Sequence, residues 1–163
     1  MPTVQIKVER FSLTSSKSFQ TVLSALHAAI GHPDIQKFSK NVNEARTASE
    51  MENAVQSAVE ESGLMEFIRL DHGEVVYKGK PNHPGVVRLI IGNPLIMRQM
   101  VERVPDAGSY APVTILIDER PDGVHLSYDR MASLLASYEN EEALKVARDL
   151  DAKVEALLAS AAA

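Results

Sequence analysis

The side chains able to move protons or hold a ligand are few and scattered. Five histidines, His27, His32, His72, His83 and His125, stand in a chain of 163 residues without cysteine. Thiolate catalysis, disulfides and cysteine-based zinc or iron–sulfur centres are therefore excluded. No His-x-His or His-Glu-x-x-His spacing occurs, so no metal is expected. Asp71-His72 is the sharpest pair: a histidine at a strand end suits a general base, and a carboxylate beside it tunes it. Neighbours on a strand point to opposite faces, however, and Asp71-His72-Gly73 also reads as a plain turn. His125, Ser127 and Asp129 have the composition of a hydrolytic triad. At two-residue spacing they lie about 7 Å apart along one strand, without a nucleophile elbow, and read as the outer face of an amphipathic strand. Gly92-Asn93-Pro94 offers backbone N–H groups to an anion at a strand-to-helix junction, although Pro94 removes one donor. Tyr110 and Tyr128 are notable in a chain with four Tyr, four Phe and no Trp. Tyrosines at strand ends line pocket mouths and also serve as packing residues.

The elements that must carry these residues follow from patterning. Residues 86–91, VVRLII, form a short apolar β-branched run bounded by Pro84-Gly85 and Gly92-Asn93, which predicts a buried strand. Asn93 and Pro94 then fit the N-cap and first turn of a helix with Ile96, Met97, Met100, Val101 and Val104 on one face. Residues 113–119 and 124–129 alternate around Arg120-Pro121-Asp122-Gly123, predicting an antiparallel hairpin with Gly123 at positive φ. Upstream, Val4, Ile6 and Val8 alternate as a first strand. Phe19, Val22, Leu23, Leu26 and Ile30 follow helical spacing and are closed by Gly31. Residues 33–62 read as helical, with Thr47-x-x-Glu50 as a capping box. Residues 64–70 predict a strand that Asp71-His72-Gly73 turns back into a second hairpin over 74–77. Asn140 caps a long final helix, where Ala143, Ala147, Leu150, Val154, Leu157 and Ala161 repeat in a heptad-like seam.

Several short strings occur in order: Leu70-Asp71-His72-Gly73, Gly92-Asn93-Pro94, Pro105-x-x-Gly108, Tyr110-Ala111-Pro112 and the hairpin ending Asp122 to Asp129. Together they resemble the DUF302 family, a domain of unknown function, over roughly residues 69–158. The resemblance implies an α+β fold similar to the TATA-binding-protein-like class: a curved antiparallel sheet of about five strands against a long C-terminal helix. On that reading residues 1–163 are a single domain, with 33–62 as a helical insertion in its first half. The resemblance implies no activity. With the amphipathic helices it points to a homodimer.

One domain is also what this length suggests, large enough to bury a core without metal or disulfide. A formal net charge of −5 without a lysine–arginine run argues against nucleic acid as a partner. No stretch has the apolar length of a membrane span. The N-terminal pattern is that of a strand rather than a signal peptide, so a cytoplasmic protein without cofactor is expected. Three function classes follow. The favoured one is a small-molecule-binding domain. The second is a cofactor-free enzyme using His72 and a tyrosine for acid–base chemistry. The third is a homo-oligomeric structural or interaction module. The expected pocket gathers Asp71, His72, Asn93, Tyr110 and Tyr128 at strand ends, with Met97, Met100 and Val101 as an adaptable wall.

Overall fold

Alternation and capping decide where each element begins and ends. A computed structural model describes residues 3–163, and among these the chain forms five strands and seven α-helices. In order they are β1 (Arg10–Ser15), α1 (Phe19–Ala29), α2 (Ile35–Glu44), α3 (Ala48–Gln56), β2 (Met65–Asp71), α4 (His72–Val76), β3 (Val86–Gly92), α5 (Pro94–Val101), β4 (Val113–Arg120), β5 (Gly123–Asp129), α6 (Met131–Leu135) and α7 (Glu141–Ala162). The strands make one antiparallel sheet in the order β1-β5-β4-β3-β2. This is the expected α+β class.

One face of the sheet is covered. Val87, Leu89, Ile91, Val113, Ile115, Ile117, Val124, Leu126 and Tyr128 point into a core closed by α1, α5 and α7. All six seam residues of α7, from Ala143 to Ala161, are buried there. Asn140 caps α7, its Oδ1 accepting from Ala143 N. Beside this core, Phe38, Val55, Ala58 and Met65 form a small second cluster that holds α2 and α3 at the periphery. Thr47 caps α3 as expected, while Glu50 reaches past it to accept from Arg46 N. Gly123 lies at φ +137°, and a Cβ there would come within 2.6 Å of Ser15 O on β1, so the glycine answers to its neighbour strand as well as to its turn.

Three expectations about local structure are corrected. The first strand is Arg10–Ser15, not the Val4–Val8 alternation. Its partner β5 runs out where Arg10 pairs Asp129, after which Arg130 turns into α6, so Val4, Ile6 and Val8 have no ladder to join and remain exposed. Met1 and Pro2, part of the same pattern, lie outside the described residues. Residues 72–76 are helical rather than half of a second hairpin, because the Asp71 carboxylate accepts from Glu74 N and caps a short turn. Helix α1 closes on Ile30, and Gly31 instead bridges to β2: its N–H donates to Leu64 O and its carbonyl accepts from Glu66 N.

Candidate functional site

On the other face of the sheet the side chains are half-buried or exposed, and register sets which of them share a row. One row crosses β2, β3, β4, β5 and β1 as Leu70, Arg88, Leu116, Ser127 and Ser12. The next row holds Ile68, Ile90 and Thr114 and runs on to Asp129 and Arg10. The pleat turns all of these away from the core. Above them the segment from Ser109 to Val113 and Leu134 of α6 rise as walls, enclosing a cavity of about 640 Å³. That volume falls within the range of about 300–1,000 Å³ typical of small-molecule sites.

Three charged side chains border this cavity. Arg10 and Asp129 neutralise one another through a two-pronged pair, Nε to Oδ1 at 2.6 Å and a terminal nitrogen to Oδ2 at 2.9 Å. Arg88 is left over. One of its terminal nitrogens donates to Thr114 Oγ1 at 3.2 Å, while its buried Nε has no partner, and no carboxylate pairs with it among the described residues. A half-buried guanidinium therefore sits in a mostly apolar hollow with its charge uncompensated nearby.

Beyond the segment from Ala111 to Val113 lies a second, smaller cavity of about 120 Å³. Gly92, Asn93 and Pro94 border it with Phe67, Met97, Met100 and Leu150. The Asn93 amide is fully engaged: Oδ1 accepts from Leu95 N at 2.8 Å as the cap of α5, and Nδ2 donates to Gly63 O at 2.9 Å. The second cavity is thus dry in character. Of the expected wall, Met97 and Met100 line this cavity and Val101 does not.

The structure does not bring the five expected residues together. Tyr110 lines the large cavity and Asn93 the small one. Tyr128 borders the large cavity at 1 % exposure, but its hydroxyl turns to the helix side and donates to Asp151 Oδ1 at 2.6 Å. Asp71 and His72 line neither cavity; Asp71 is committed to capping α4. His125, Ser127 and Asp129 share a face without meeting: His125 Nε2 lies 2.8 Å from Asp122, and Asp129 is held by Arg10. Among the described residues no group of three or more His, Asp or Glu converges as a metal site.

The tyrosines here are held neutral. Burial raises Tyr128 well above the usual phenol range, and the Asp151 charge adds to it. Tyr138 is also raised, by its hydrogen bond to Tyr110 first, then by burial and the nearby Asp106. Such hydroxyls donate hydrogen bonds rather than accept protons.

Sequence reasoning missed Arg88 and Asp151. Arg88 interrupts the apolar run VVRLII, and that interruption was its signal. Asp151 follows Leu150 of the seam and is 6 % exposed, accepting from Met131 N at 2.7 Å and Ala132 N at 3.1 Å as well as from Tyr128. It caps α6 from another helix, which no local pattern announces. Burial raises its carboxyl against the lowering effect of these hydrogen bonds.

No helix among the described residues is long and apolar enough to cross a membrane. The family model described as "Domain of unknown function DUF302" matches residues 38–161. No curated protein matches the chain in sequence. Among solved structures, the chain is similar to the crystal structure of an uncharacterized conserved protein DUF302 from Bacillus stearothermophilus, at 12 % identity and a TM-score of 0.63, over 93 % of this chain and 97 % of that one.

Proposed function

The chain belongs to the DUF302 family, a domain of unknown function, and we propose that it is a small-molecule-binding domain that takes an organic anion on the open face of its sheet. One observation carries this reading: Arg88, whose guanidinium has no carboxylate partner among the described residues and a buried Nε without an acceptor, lines a cavity of about 640 Å³. A buried donor without an acceptor costs about 1–3 kcal/mol, and more when charged. A carboxylate or phosphate in the cavity would give the unpaired guanidinium a charge-assisted partner, and guanidinium geometry suits both. The Tyr110 hydroxyl adds a polar group at the rim, and Ile68, Ile90 and Leu116 supply apolar contact. Acid–base catalysis by His72 is not favoured, since His72 lies outside both cavities.

The test is calorimetry with acetate, benzoate and phenyl phosphate on the purified chain and on Arg88→Met. At least one anion is expected to bind with loss of tenfold or more in the variant. Equal binding to both proteins, or none to either, would end this reading.

A second reading, a homodimer, is favoured by the outer strand β2. It is an edge of the sheet, and Ile68 and Leu70 on it are 49 % and 37 % exposed, beside Val75 and Val76 at 77 % and 64 %. Edge strands with apolar side chains invite pairing with another chain. Sedimentation at micromolar concentration is expected to show a dimer that Leu70→Lys weakens; a pure monomer would count against it.

A further inference from the structure

We propose that the ligand is an anion with an apolar arm, its charged head on Arg88 and its arm in the second cavity beneath α5. This rests on the reading of Arg88 given above and names the ligand class for the same site.

Three observations lead there. The two cavities share a wall: Ala111, Pro112 and Val113 line both. They are neighbours across one short segment. The second cavity, at about 120 Å³, is too small for a whole ligand, given the range of about 300–1,000 Å³ usual for such sites, but suits one end of one. Its chemistry is also one-sided. Phe67, Met97, Met100 and Leu150 line it, and the one polar side chain, Asn93, spends both amide groups inside the protein. It can reward only apolar atoms. The head site has the opposite character, with an unmet donor on Arg88.

The local sequence keeps this junction narrow. A Cβ on Gly92 would stand 3.2 Å from Pro112 Cβ and 3.6 Å from the Phe67 ring, so any larger residue there would press on the shared wall. Met97, half-buried on α5, can shift to admit an arm as methionines do.

The experiment is a calorimetric series of straight-chain carboxylates, butanoate, hexanoate, octanoate and decanoate, on the full chain. Affinity is expected to rise roughly fourfold per methylene over part of the series, the value of one buried CH2, and then to level. In Met97→Phe, which narrows the second cavity, the rise should disappear while butanoate still binds; Leu150→Phe should repeat the effect from α7. A series of equal affinities on the unsubstituted chain, or an undiminished rise in both variants, would overturn the inference while leaving the Arg88 site standing. In Arg88→Met every member should weaken together. Butanoate binding that ignores Arg88, or no binding by any member, would instead overturn the underlying reading, and this inference with it.

Discussion

Two charged side chains flank the sheet on opposite sides, Asp151 buried and Arg88 half-buried, and their circumstances are opposite. Asp151 on the covered side has every need met: one hydroxyl and two backbone N–H groups converge on its carboxylate. Arg88 on the open side has one bond to Thr114 and a buried donor with nothing opposite it. A fold keeps a satisfied buried charge because the partners depend on it. It keeps an unsatisfied one at a cost, and groups of that kind gather where something else is to be bound. The difference separates a polar group that builds the protein from one that the protein presents.

That contrast can be broken by substitution. Asp151→Ala leaves Tyr128 Oη and Ala132 N without an acceptor and Met131 N with only the longer bond to Tyr128 Oη at 3.3 Å, and should cost roughly 3 kcal/mol in urea unfolding, at about 1–3 kcal/mol per orphaned donor. A loss under about 1 kcal/mol would mean that the network is incidental. Tyr128→Phe removes one donor and leaves the two backbone bonds, so about 1.5 kcal/mol is expected from the same measurement. Arg88→Met should have the opposite sign: without ligand, the variant should be unchanged or more stable by up to about 1 kcal/mol, since a buried orphan is gone. If Arg88→Met destabilised the chain as much as Tyr128→Phe, both residues would be structural and the contrast would vanish.

The smallest effect is in pH. Burial raises the Asp151 carboxyl above its unfolded value. Between about pH 4, the ordinary carboxyl range, and the raised folded value, the native chain holds the proton that the unfolded chain has lost. Stability contributed by this group is therefore greatest below that window and declines as pH rises through it. Asp151→Asn should lack that decline, read as the difference in melting temperature between the two proteins across pH 4–7.

The parts legible in the sequence were those with local causes. The β4–β5 hairpin follows from alternation around a Pro-Asp-Gly turn, and the start of α5 from Asn93 and Pro94. Where long-range partners decided, the sequence pointed elsewhere. Val4 to Val8 alternate as well as any strand here, yet β5 ends before reaching them. Asp71-His72-Gly73 misled for a local reason: it has the letters of a turn, and a carboxylate-to-backbone bond three residues on makes it a helix cap. The site was legible only in halves: Tyr110, Asn93 and Met97 fall at the two cavities, but register between strands is what puts Arg88 on the face that lines the same cavity as Tyr110, and register is not written in any one strand.

The strand order has a consequence for how the protein is born. Strands β2 to β5 follow one another and can zip together as they leave the ribosome. Among the described strands, Arg10–Ser15 precedes the others and finds its one ladder partner at Gly123–Asp129. At typical elongation rates of about 5–20 residues per second, it waits on the order of 10 s for that partner. During that interval Phe11 and Leu13 lack the strand they pack beside, and an unpaired apolar strand of that kind invites contact with other chains.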